Sequence, residues 1–275
     1  MKYTFQSGKY LLKNFFYILP FTVFPALFFS LSTDERAMTG VLQAMLEGRL
    51  EDWSFRLLFR SISILSFSSW QSVVFGIIGI LLSVLCVALL MALLEKHLRI
   101  GKRSFNGIWE KLNDNFLSTC WYTALLVLIY EIWALLAAAI LYFVSMISVR
   151  IVAYAAIVVF FLLLHLLLLF AISMIYLWLP CMQITGFGAF ESLQYSYQLF
   201  APVKWNIIWG QTVLLLVSEI IICLCALFVE SRIVFLALTT ALYALMTMFF
   251  CVRMQITYFE RDNIERADLN RYYME

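Results

Sequence analysis

Residues 151–180 read IVAYAAIVVFFLLLHLLLLFAISMIYLWLP, thirty positions without a single Asp, Glu, Lys or Arg. A helix that crosses a bilayer needs about 20 predominantly apolar residues. This run exceeds that, and as helix it would reach roughly 45 Å against a hydrocarbon core of about 30 Å. It must tilt or project beyond the lipid. Only Ser148-Val149-Arg150 separates it from a second long apolar run, residues 116–147. The two together predict a tight helical hairpin.

Working outward, further apolar runs cover residues 15–31, 73–94, 206–229 and 233–252. The reading is an all-α, polytopic transmembrane bundle of six spans. Composition agrees. Of 275 residues 64% are apolar and only 13% charged, and mean hydropathy is +0.92. The charged share is about half that of a soluble domain, so soluble, disordered and fibrous classes are excluded. The first run is the shortest and carries Pro20 and Pro25. With Lys2, Lys9 and Lys13 ahead of it and Ser30-Leu31-Ser32 behind, a cleavable leader is its alternative reading. The six cysteines lie in or beside apolar runs and form no C-x-x-C pair, so they read as small buried hydrophobes rather than a disulfide framework.

Orientation follows the placement of Lys and Arg. With the N-terminus inside, the inner segments hold Lys2, Lys9, Lys13, Lys96, Arg99, Lys102, Arg103, Lys111, Lys204, Arg253, Arg261, Arg266 and Arg271. The outer ones hold Arg36, Arg49, Arg56, Arg60, Arg150 and Arg232. The expectation is a multi-pass protein of the cell (cytoplasmic) membrane with both termini cytoplasmic. A net charge of +2 is too even to argue for a nucleic-acid partner.

Amphipathic stretches precede the odd-numbered spans. Phe105, Ile108, Trp109, Leu112 and Phe116 share one helical face before the third, and Phe190, Leu193, Tyr197 and Phe200 before the fifth. Phe5, Leu12 and Phe16 are a fainter copy before the first. Such helices lie in the membrane interface or seal the mouth of the bundle. A shift of 88 residues superposes Trp121 on Trp209 and Glu131 on Glu219, and Met-Gln-Ile-Thr recurs at 182–185 and 254–257. The pattern predicts three parallel hairpin repeats, about 1–100, 101–185 and 186–260, within one membrane domain (1–275) that ends in a short cytoplasmic tail, 261–275. In the long outer segment, Leu50, Trp53, Leu57, Ile64 and Phe67 keep near-helical spacing, and Asp52 and Arg56 form an i,i+4 pair on the opposite face. They predict an amphipathic helix capping the bundle; a solvated loop is the alternative.

A carboxylate in mid-membrane costs about 2.5–3.5 kcal/mol on insertion scales and must face protein or water. Glu131 and Glu219 both lie roughly 20 Å into their spans. His165 is mid-span on the fourth, with Ser173 and Tyr176 on its face. The three form a candidate proton or cation site, or else a hydrogen-bonded structural cluster. Ser72, Gly76, Gly79 and Ser83 line the second span as a small-residue stripe for close helix packing. Pro180 ends or kinks the fourth span. No catalytic motif, metal-ligand pattern or cofactor fingerprint occurs, and His97 sits at the inner end of the second span.

Ser192-x3-Ser196-x2-Leu199-x5-Trp205, leading into an apolar span, resembles the membrane domain that accompanies bacterial glycerophosphodiester phosphodiesterases, with Ser192 where that pattern usually has Ala. Phe105-x3-Trp109 followed by Asn115-Phe116-Leu117-Ser118-Thr119 is similar to the YesL-type membrane proteins of Gram-positive bacteria. The first resemblance implies interfacial helices before alternate spans and no catalytic residues, since the phosphodiesterase domain itself is missing. The functional expectation is a non-enzymatic integral membrane protein. It would be a scaffold or accessory subunit, or a lipid- or envelope-associated factor, with membrane lipids and a membrane-protein partner or second copy as partners. The alternative is a small proton- or cation-coupled transporter using Glu131 and Glu219, and an intramembrane enzyme comes third.

Overall fold

The computed structural model describes residues 2–269. Eleven α-helices and no strand occur among them: α1 (Lys2–Ile18), α2 (Pro20–Ser32), α3 (Glu35–Leu46), α4 (Phe55–Ile62), α5 (Trp70–Ile100), α6 (Ile108–Ser145), α7 (Arg150–Met174), α8 (Trp178–Thr185), α9 (Ala189–Phe200), α10 (Lys204–Phe228) and α11 (Arg232–Arg261). Five helical stretches, residues 70–100, 108–145, 150–185, 189–228 and 232–261, are long and apolar enough to cross a membrane. The bent pair α1–α2 makes a sixth if counted as one span.

That pair turns through 84°. Pro20 has no N–H to give the Phe16 carbonyl, so the helical ladder fails at the junction. Asn14 already departs from helical geometry, and its side-chain amide donates to the Tyr10 carbonyl at 2.9 Å in place of the broken register. The apolar run at 15–31 is therefore a bend followed by a 13-residue helix rather than a straight rod.

Packing follows chain order. Helix α2 packs on α5, α5 on α6, α6 on α7, α7 on α10 and α10 on α11, and α11 closes back on α2. The six form a ring. Helix α2 approaches α5 closely because two glycines face it. A Cβ at Gly76 would meet Ser32 Oγ at 3.0 Å and Leu65 Cδ2 at 2.9 Å, and one at Gly79 would meet the Phe29 ring at 3.0 Å. Ser72 acts differently, closing a capping box with Ser69 at the start of α5. Ser83, further along, is half-buried.

The fourth apolar run breaks at residues 175–177. Pro180 stands three residues into α8, where no N–H is needed, while its ring would strike the carbonyl of Tyr176 if the helix ran straight through. Both termini of the described chain lie at one end of the bundle, since the Lys2 ammonium is 2.8 Å from the Glu260 carboxylate at the end of α11. Residues after α11 turn back rather than trail away as a free tail: Arg266 and Ala267 are buried, and the short 3-10 turn Ala267–Leu269 packs on α5. Residues 270–275 of the expected tail, Arg271 among them, lie outside the described residues.

Helices α3 and α4 close the opposite end. Helix α4 packs on α6 and α3 on α10. Trp53 is buried with Ala138, Leu141, Val144, Ala153 and Ile157 from α6 and α7, and its indole N–H donates to the Val41 carbonyl at 3.1 Å. Tyr154 of α7 donates to the Met45 carbonyl at 2.7 Å. The single amphipathic helix expected over residues 50–67 is thus a 3-10 turn at Leu50–Asp52 followed by the short helix α4. Ser54 caps α4, accepting from the Leu57 N–H at 3.2 Å, and that break keeps Asp52 from Arg56. Asp52 pairs with Arg49 at 3.4 Å instead, and Arg60 pairs with Asp34 at 2.6 Å.

The stretches expected to lie in the interface before the third and fifth spans continue into those spans. Phe105 precedes α6, while Trp109 and Leu112 belong to its first turns. Helix α9 continues into α10 with no bend above 40°. Phe190 and Tyr197 point outward, Leu193 packs against the core, and Ser192 and Ser196 form the buried face. The two serines answer their own neighbourhood, with Ser192 donating to the Phe187 carbonyl and Ser196 to that of Leu193. Their small size lets α9 sit close to the core, with Phe200 buried and Phe190 and Tyr197 facing outward.

Candidate functional site

The three mid-span groups His165, Glu219 and Glu131 each have a protein partner. His165 lies on α7 with Trp133 of α6 edge-on at 4.9 Å and Phe161 one turn back at 4.0 Å. Trp133 is itself fixed, its indole N–H donating to the Leu164 carbonyl at 2.8 Å. The His165 Nδ1 is 2.8 Å from the Phe161 carbonyl, and its Nε2 is 2.8 Å from Oε1 of Glu219 on α10. A carbonyl oxygen only accepts, so Nδ1 carries a proton. One further proton then lies between Nε2 and Oε1. The pair is either imidazolium with carboxylate or neutral imidazole with carboxylic acid, and its net charge is zero in both forms. The second oxygen of Glu219, Oε2, is buried with no hydrogen-bond partner among the described residues.

Glu131 of α6 stands apart from that pair in its bonding. Its Oε1 accepts from the backbone N–H of Ile64 at 3.0 Å and of Leu65 at 3.3 Å, and its Oε2 accepts from Ser63 Oγ at 2.8 Å. The Tyr130 hydroxyl donates to the Ile62 carbonyl at 3.0 Å beside it, and Ser32 Oγ donates to the Ile64 carbonyl at 2.7 Å. The segment joining α4 to α5 therefore dips into the bundle and is pinned from two sides. Hydrogen bonds to an ionised acceptor are about twice as strong as neutral ones, which favours a carboxylate over a neutral side chain at this position. Of the three residues marked by the sequence, the structure joins His165 to Glu219 and gives Glu131 to the loop. Trp121 and Trp209 are both exposed, on α6 and α10, yet the carboxylates ten residues beyond them have unlike partners.

Two further buried polar contacts, of Ser173 and of Arg253, were not legible in the sequence. Ser173 donates to Gln211 Oε1 at 2.7 Å, joining α7 to α10. Arg253, counted above with the inner segments, is 1% exposed inside α11. Its Nη2 donates to the carbonyls of Asn206 at 2.8 Å and Ile207 at 3.2 Å. The guanidinium lies against Gly210, where an added Cβ would stand 2.4 Å from Nη2 and 2.7 Å from Cζ. Gly210→Ala is therefore expected to displace the guanidinium and lose both bonds, at a cost of about 2–3 kcal/mol. Thermal unfolding in detergent checks this, and an alanine variant as stable as the parent would refute it. The run of apolar residues ending at 252 concealed Arg253, because the helix continues for nine more residues.

Comparison of the chain with protein-family models, with curated proteins and with solved structures returns no match in any of the three. Fold and apolar helices define an all-α, multi-pass membrane protein.

Proposed function

We propose that this chain is a non-enzymatic integral membrane protein of the cell membrane, with both termini cytoplasmic. In this reading it acts as a scaffold, accessory subunit or lipid-associated factor. The observation that carries the reading is the bonding of Glu131: the mid-span carboxylate holds a loop segment with all three of its hydrogen bonds. The outward faces of α6, α7 and α10 are left to lipid and to a membrane-protein partner or second copy. Purification in mild detergent after crosslinking in native membranes is expected to recover a defined complex, hetero- or homo-oligomeric.

A second reading, a small proton- or cation-coupled transporter, is favoured by one feature. The His165–Glu219 pair shares a single proton, and Glu219 Oε2 is buried without a partner. Proteoliposomes loaded with a pH-sensitive dye separate the two. A scaffold gives no proton flux above protein-free vesicles. Flux that Glu219→Gln abolishes would overturn the scaffold reading in favour of transport.

A further inference from the structure

A groove of about 1090 Å³ opens at the end of the bundle that carries both termini. One wall is α1, another is the end of α5 with the turn after it, and the third is the 3-10 turn at Ala267–Leu269. Its cations are Lys9, Lys13, Lys102, Arg103 and Arg266, against the single carboxylate of Asp268. That carboxylate is taken, since Arg266 Nη2 lies 2.9 Å from it. Arg103 is held in place by neutral acceptors, its Nε donating to Asn14 Oδ1 at 2.9 Å and its Nη2 to the Lys13 carbonyl at 3.1 Å. Lys9, Lys13 and Lys102 have no ion pair among the described residues, and all three are exposed. Below them the floor is built and buried: Tyr10 is hydrogen-bonded to His97 Nδ1.

Four positive charges facing one opening repel each other unless an anion joins them. The apolar residues nearby indicate which kind. Phe5, Lys9, Leu12 and Lys13 follow one another along one side of α1, and Phe5, Leu12 and Phe16 are 78%, 82% and 84% exposed. Because α1 is turned 84° from α2, this mixed strip lies across the bundle. Lysines flanked by exposed apolar side chains on such a helix reach toward headgroups while the apolar groups enter the acyl region. Phe5 belongs both to that strip and to the wall of the groove.

We propose that this groove is a binding site for the phosphate headgroup of an anionic phospholipid, held by Lys9, Lys13, Lys102 and Arg103 with its acyl chains along α1. The proposal deepens the lipid-facing part of the reading above. It can fail independently, because the flux and crosslinking experiments do not involve these lysines. The test uses the purified full chain in detergent at physiological ionic strength. Phosphatidylglycerol and phosphatidylcholine are offered in turn, and retained lipid is counted by native mass spectrometry. Phosphatidylglycerol is expected to be preferred by on the order of tenfold or more. The triple substitution Lys9→Gln, Lys13→Gln, Lys102→Gln should remove the preference while leaving the Arg103 hydrogen bonds in place. Lys→Arg at the same three positions should keep it, which separates lost charge from lost fold. Equal retention of the two lipids by the parent protein would overturn the proposal, as would an undiminished preference in the glutamine variant. Inorganic phosphate that displaces phosphatidylglycerol as effectively as fresh lipid would replace the lipid by a soluble phosphate.

Discussion

Glu131→Leu is expected to open the loop end of the bundle. Leucine fills much of the same space but accepts nothing, so the N–H groups of Ile64 and Leu65 and the hydroxyl of Ser63 lose their acceptor together. A buried donor left without a partner costs about 1–3 kcal/mol, which puts the three on the order of 3–9 kcal/mol. A typical protein has about 5–15 kcal/mol in all. Glu131→Gln is the informative control. Its amide oxygen still receives the two backbone donors, and its NH2 can donate to Ser63 Oγ, so a loss of about 1 kcal/mol is expected. Thermal unfolding in detergent, with proteolysis between residues 62 and 69 as the local readout, compares the two. A leucine variant that melts with the parent and stays uncut would mean that the segment is held by packing of α4 alone.

How far the sequence foretold this arrangement depends on what kind of partner each residue has. The hydrophobic runs located the spans, because a bilayer requires a minimum length of apolar helix whatever the tertiary fold. Helix ends were less legible. The bend at Leu19 rests on Pro20, which was visible, and on Asn14, whose amide could equally have capped a straight helix. Glu131 was recognised as a residue that must be sheltered. Its partners went unseen because two of them are main-chain N–H groups, which every non-proline residue carries and no sequence pattern marks. His165 and Glu219 are hydrogen-bonded to each other, whereas Glu131 bonds to the loop segment. The reason is that α7 packs on α10, whereas the Glu131 side of α6 meets the segment leading from α4. The equal spacing of Trp121–Glu131 and Trp209–Glu219 describes the helices and not their neighbours. Arg253 shows the converse: a charge just past an apolar run counts toward the inner side by the positive-inside rule, while the helix carries it inward to the carbonyls of α10.

The second large effect is expected at His165 and Glu219, and it is best read as a cycle. Removing either partner with leucine strands the other: Glu219 would keep no partner for either oxygen, and His165 would lose the acceptor or donor at Nε2. Breaking a buried pair in this way costs about 3–5 kcal/mol, whereas replacing both members with apolar groups is often close to neutral. The double substitution His165→Leu, Glu219→Leu should therefore be more stable than either single one, by about 3–5 kcal/mol. Glu219→Gln behaves differently, since its amide can donate to a neutral imidazole and preserve the contact, so stability should fall by no more than about 1 kcal/mol. An amide cannot exchange the proton that the carboxyl shares with the imidazole. The same variant thus leaves the fold in place while freezing the proton. Stability retained with flux lost would assign the pair to transport, and stability retained with nothing else changed would assign it to holding α7 against α10. A double variant destabilised by the sum of the two single effects would show that the two side chains are not coupled, and both assignments would fall together.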